Sequence, residues 1–137
     1  MACSWAERSG GRSVGFVVAG WHPDPGGVET HARMLARELV SVGWRGEVLA
    51  LVGADGLESY SWRDEYRGGA RVRRVAYRWQ DVCALADLAR RERAESLVRS
   101  WVEERGLALV HVHHLTGFGA SVPLALRDAG VRVLMTL

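Results

Sequence analysis

Lysine, asparagine and isoleucine are missing from this 137-residue chain, so all 18 of its basic side chains are arginine. The pattern matches a GC-rich coding bias and speaks of the genome more than of function. Cysteine occurs only at Cys3 and Cys83, without the spacing of a metal knuckle or a CxxC pair. A disulfide scaffold is therefore excluded, and the reading is a chain of a reducing compartment, the cytoplasm. No apolar run approaches the roughly 20 residues of a membrane-spanning helix, GFVVAG and ALVHV being among the longest. The opening MACSWAERSGGRS has no apolar centre of the kind a signal peptide needs, and 1–12 reads as a flexible lead-in. A net charge of +2 is too small to point to nucleic acid. What is present, 48% hydrophobic and 25% charged residues, describes one globular domain over 13–137.

Strand and helix patterns alternate along that domain. SVGFVVA at 13–19 reads as a strand buried on both faces, and GWHPDPGG after it as a loop. Val28, Ala32, Leu35, Leu39 and Val42 form one helical stripe closed by Gly43. EVLALV at 47–52 is a second strand. Residues 53–69 show no period, and RVRRVAY at 71–77 reads as a weak edge strand. A helical stretch over 82–105 changes face near 90–93, so a kink or two helices are expected, with Val82, Leu85 and Ala89 facing one way and Leu97 and Trp101 another. LALVHV at 107–112, a helix at 119–129 with Pro123 in its first turn, and VRVLMTL at 131–137 complete the order. The expected fold is α/β, a doubly wound, Rossmann-like parallel sheet of strand order 3-2-1-4-5. Its functional edge lies at the C-terminal ends of the first and fourth strands.

Two segments reach that edge. The Gly26-Gly27 pair opens the first helix, where free N–H groups favour an anion such as a phosphate; the simpler reading is a tight turn. The spacing is neither GxGxxG nor GxxxxGK[ST], which excludes a P-loop. In HVHHLTG at 111–117, strand alternation puts His111 and His113 on one face. His111 reads as a satisfied core histidine, and His113 or His114 as a hydrogen-bonding group for a substrate hydroxyl or phosphate. No Cys, Asp or Glu is spaced to complete a zinc site, so no metal is expected. His22 and His31 lie in or near the glycine loop, and four histidines thus converge on one crevice. The run Arg67, Arg71, Arg73, Arg74 and Arg78 has two readings: a charged edge that resists pairing, or attraction to anionic lipid head groups or a phosphorylated acceptor. Trp62 and Trp79 read as packing residues or as an acceptor surface.

HPDPGGVETHARMLARELVSVGWRGEVLALV resembles the start of family 4 glycosyltransferases of GT-B fold, with its PPxxGGxE loop and LAxxLxxxGHxV helix. Pro23, Gly26, Gly27, Glu29, Leu35, Ala36, Leu39 and Gly43 match, while Trp44 replaces the usual histidine. LALVHVHHLTG resembles the family's DxVHxHxxxG strand, with Leu107 or Ala108 where the acid usually stands. The resemblance runs from about Ser13 to Leu137.

It implies the N-terminal, acceptor-side half of a two-domain enzyme that moves a sugar from a nucleotide-diphosphate donor to an acceptor, usually with retention. Gly26, Gly27 and Glu29 would form the phosphate loop, with His113, His114 and Thr116 lining the cleft. The donor is a substrate, and no cofactor is implied. The partners implied are a C-terminal donor-binding domain and a glycan, lipid or small-molecule acceptor, with peripheral membrane contact as an option. The chain stops before the family's usual His-Asp pair and before its E-x7-E motif, so a fragment inactive on its own is expected. The rival reading is a noncatalytic or split-enzyme Rossmann-like binding module. A phospho-receiver is disfavoured because Gly20, Val52, His113 and Leu137 stand at the strand ends, where it would need an acid.

Overall fold

The computed structural model describes residues 12–21, 26–53 and 56–136. The expected lead-in falls almost wholly outside the described residues, as do His22, Pro23 and Leu137. The first strand, β1 (Ser13–Val18), is buried along its whole length, as its apolar run requires. There follow α1 (Gly27–Ser41), β2 (Arg45–Gly53), β3 (Trp62–Arg67), β4 (Ala70–Tyr77), a short 3-10 turn (Trp79–Asp81), α2 (Leu85–Ala89), α3 (Glu92–Arg105), β5 (Leu109–Val112), α4 (Val122–Asp128) and β6 (Arg132–Met135). The sheet has six strands in the order β3-β4-β2-β1-β5-β6. All neighbours run parallel except β3 and β4.

The central order is the one the alternation of strands and helices predicts, and the difference lies at one edge. Residues 71–77, expected as an edge, are covered by β3, which the sequence shows only as an aperiodic stretch. WRDEYR is exposed along nearly its whole length and interrupts its two aromatic residues with Asp64, so it carries no buried apolar face to read. Gly68 and Gly69, at φ 62° and 80°, supply the left-handed turn that folds β3 back on β4. The hairpin sets Asp64 opposite Arg73 in register.

That pairing corrects the reading of the arginine run as a solvated edge. Arg73 and Arg74 are 2% and 6% exposed. Arg73 meets Asp64 at 2.9 Å and Glu104 at 2.8 Å, Arg74 meets Glu65 at 2.7 Å, and Arg71 meets Glu47 at 2.7 Å. Glu47, itself 1% exposed, also faces Arg45 and Arg105 at 3.5 and 3.4 Å. These cations are occupied within the fold, because a buried guanidinium must be paired.

Side chains alternate across the sheet into two cores. Val14, Phe16 and Val18 of β1 join Val48, Ala50, Ala32 and Ala36 under α1. The small alanines let the helix approach the sheet closely. Val28 and Val42, expected on the buried stripe, sit at the helix ends and are 36% and 61% exposed. On the opposite face Val17, Leu49 and Val110 pack against Trp101 of α3 and Leu126 of α4. Gly15 permits this, since a Cβ there would stand 2.6 Å from Trp101 and 2.7 Å from Leu107. Val133, expected in the core, is only partly buried because β6 is a sheet edge.

The break expected near 90–93 is present between α2 and α3. The apolar face read for its first half is not buried: Leu85 is 85% exposed and Leu88 45%. A five-residue helix is too short to lay a stripe on the sheet. Trp62 and Trp79, expected to pack, are 49% and 59% exposed, although Arg73 stacks 3.6 Å from the Trp62 ring. Among the described residues no helix is long and apolar enough to cross a membrane.

Candidate functional site

The C-terminal ends of β1 and β5 lie side by side, and the His113 amide extends their ladder by donating to the Val17 carbonyl at 2.9 Å. Alternation along β5 directs His111 and His113 to the α1 face, with Phe16 of the neighbouring strand beside them. The rings of His111 and His113 stand 3.9 Å apart, and His31 of α1 meets His113 edge to face at 5.6 Å. His111 is half-buried rather than core, and its Nε2 shares a 2.7 Å hydrogen bond with the Thr136 hydroxyl.

His113 is 7% exposed, and its buried Nε2 has no hydrogen-bond partner. Burial, reinforced by His111 and His31, pushes its pKa down to about 4. His111 is lowered as well, by burial and then by His31. At neutral pH His113 is therefore an uncharged imidazole with one unsatisfied nitrogen at the C-terminal edge of the sheet. Its neighbours His114 and Thr116 line a recess of about 260 Å³ together with Met135 and Thr136. Within it the Thr116 amide donates to His114 Nδ1 at 3.3 Å.

Gly26 caps α1, and the Glu29 carboxylate folds back over it into the space a Gly26 side chain would occupy. Gly27 differs: a Cβ there would meet nothing within 4 Å. The fold itself makes no steric use of a glycine at that position. Gly27 and His31 are one helical turn apart on one face of α1, so the His31–His113 contact brings the helix opening toward the β5 end. Among the described residues no group of three His, Cys, Asp or Glu side chains is placed to hold a metal ion.

Residues 26–137 match the glycosyl transferase 4-like domain. The chain belongs to that family. Among solved structures it is similar to one described as trehalose-6-phosphate from E. coli bound with UDP-2-fluoro glucose, at 16% identity and a TM-score of 0.50. The match covers 90% of this chain and 32% of that one, and shows a shared GT-B fold. No curated protein matched.

In this glycosyl transferase 4-like domain a second, larger cleft escaped the sequence reading. It encloses about 630 Å³ between the 58–60 turn, Arg78 and Asp81, and the α2–α3 junction. Tyr60 anchors it in the left-handed region at φ 63°, an unusual conformation for a non-glycine residue. Its hydroxyl donates to the Gly117 carbonyl at 2.5 Å and accepts from Arg91 Nη1 at 3.1 Å. Gly117 must be glycine, since at φ 82° a Cβ would lie 2.5 Å from Leu51. The cleft is thereby tied to the 113–117 segment that carries His113. No sequence signal announces it, because Tyr60, Arg91 and Gly117 meet only through tertiary packing.

Proposed function

We propose that residues 13–137 are the acceptor-side domain of a two-domain transferase that moves a sugar from a nucleotide-diphosphate donor to an acceptor. The observation that carries this reading is the uncharged, unpartnered His113 Nε2 at the C-terminal sheet edge, beside a helix that opens with a sterically free Gly27. A buried polar atom without a partner is uncommon unless a ligand completes it. In this reading the backbone at Gly26 and Gly27 approaches the donor's phosphates, with Glu29 setting the turn. His113 hydrogen-bonds a substrate hydroxyl, and His114 and Thr116 line the same wall.

The match to 32% of the compared chain supports a second domain as partner, which would hold the donor. Stabilisation of the departing diphosphate, the largest electrostatic demand of the reaction, falls to that other half. Transfer then proceeds with retention, as the resemblance implies, and this chain alone is inactive. The donor is a substrate, and no cofactor enters the scheme. The exposed, unpaired Cys83 suits a reducing, cytoplasmic setting.

The test is calorimetric titration of the chain with uridine and guanosine diphosphate sugars, beside a transfer assay of the chain joined to a donor-side domain. Weak or no donor binding by the chain alone, and transfer by the joined protein, are expected. Micromolar donor binding by the isolated chain would overturn the one-wall reading. A joined protein that binds donor but never transfers would favour a noncatalytic module.

A further inference from the structure

The 630 Å³ cleft contains one arginine, Arg91, that makes no direct ion pair among the described residues, although Asp81 and Asp87 lie near enough to feel its charge. Three of its four acidic side chains are already engaged. Asp81 accepts from the Ser59 hydroxyl and pairs with Arg78 at 3.5 Å. Glu58 pairs with Arg93 at 3.0 Å, and Asp87 accepts from the Cys83 and Ala84 amides at 2.8 and 2.9 Å. Arg90 is drawn away to Glu95 at 3.4 Å, and Glu92 is exposed on the first turn of α3.

Arg91 has no such partner. Among the described residues no carboxylate comes within 4.0 Å of its guanidinium. Nε donates to the Asp87 carbonyl at 2.9 Å and Nη1 to the Tyr60 hydroxyl, while the buried Nη2 donates to nothing. The guanidinium lies 5.6 Å from the Tyr77 ring, whose own buried hydroxyl is unpartnered as well. An unsatisfied donor on a charged group calls for an acceptor that brings negative charge. The strained Tyr60 holds Nη1 from behind, so the rest of the planar fork is oriented in advance.

We propose that this cleft binds the phosphate or carboxylate group of the acceptor substrate, with Arg91 as its anchor. The inference rests on the acceptor-side reading above and narrows the acceptor to an anionic class. Through the Tyr60 hydroxyl the anchor is tied to the Gly117 carbonyl, four residues beyond His113 in the chain. The anion's source is either a soluble phosphate monoester or a lipid head group.

The experiment titrates the chain with glycerol phosphate, glycerol and inorganic phosphate, and separately with phosphatidylglycerol and phosphatidylcholine vesicles. Glycerol phosphate should bind saturably and about tenfold or more tighter than glycerol, the size of one charge-assisted contact. Arg91→Met should abolish the preference. Arg91→Lys, which keeps the charge but loses the fork, should weaken it several-fold. Arg99→Met, on the exposed face of α3, should leave it unchanged.

Arg91-dependent binding confined to phosphatidylglycerol vesicles would identify a lipid head group. The same dependence with glycerol phosphate in solution would identify a soluble monoester. Equal affinity for glycerol and glycerol phosphate without vesicle binding, or a preference that survives Arg91→Met, would overturn the proposal. These titrations need neither donor nor second domain. Their failure removes only the anionic acceptor, whereas intact phosphate binding with no transfer by the joined protein removes the transferase reading.

Discussion

The imidazole of His31 meets that of His113 edge to face, with ring centroids 5.6 Å apart, and so joins the second turn of α1 to the end of β5. His111 closes the group 3.9 Å from His113. Protonating His113 would place a charge in a buried site beside two further imidazoles. Its low pKa is the consequence, and at physiological pH the ring is neutral.

This group makes stability depend on pH in a definite direction. The folded pKa of about 4 lies below the ordinary 6.5, so between those values the unfolded chain binds more protons. The contribution is fully present above pH 6.5 and is lost as pH falls toward 4, in total about 3 kcal/mol. Urea denaturation at a series of pH values should show the decline, and His113→Phe should flatten it. An unchanged slope in the variant would assign the dependence elsewhere.

Gly27→Val should leave folding nearly untouched, because the position opens on free space. In the chain joined to a donor-side domain, however, the branched side chain would stand where the proposed function brings the donor phosphates. Transfer should fall by about a hundredfold or more while the melting temperature moves little. Undiminished transfer would reduce the glycine pair to a turn.

Glu47→Ala removes the carboxylate shared by Arg45, Arg71 and Arg105 and leaves cations facing one another at the sheet surface. A loss of about 3 kcal/mol is expected by denaturant titration, since breaking a buried pair strands its partner. Glu103→Ala, exposed on α3, should stay within about 0.5 kcal/mol.

β6 ends the sheet with Leu134 and Met135 exposed at 53% and 43%. An apolar, unpaired edge of this kind invites pairing with another copy. Light scattering of the chain should detect concentration-dependent association, and Leu134→Glu should reduce it. A wild-type chain that remains monomeric at high concentration would show that the edge is protected.

Local pattern made much of the fold readable. The apolar run of β1, the Ala32/Ala36 period of α1 and the alternation of strand and helix are near-neighbour properties, and a buried parallel sheet follows from them with few alternatives. The face change near 90–93 likewise announced the break between α2 and α3. The strand period alone places His111 and His113 on one face, where their rings stand 3.9 Å apart. β3 was illegible because its residues present no buried apolar face and become a strand only through cross-strand charge with β4.

By itself, then, the sequence determined the parallel core, the residues at its C-terminal edge and the resemblance that the family match bears out. Those depend on hydrophobic period and on contiguous motifs, which survive without knowledge of distant neighbours. Only the tertiary structure decided that Arg71, Arg73 and Arg74 are held in ion pairs, that His113 is neutral with a free nitrogen, and that Arg91 Nη2 is buried without a hydrogen-bond partner. The reason is physical: charge state and hydrogen-bond satisfaction are set by burial and by groups far away in sequence, as with Tyr60 and Gly117, which are 57 residues apart.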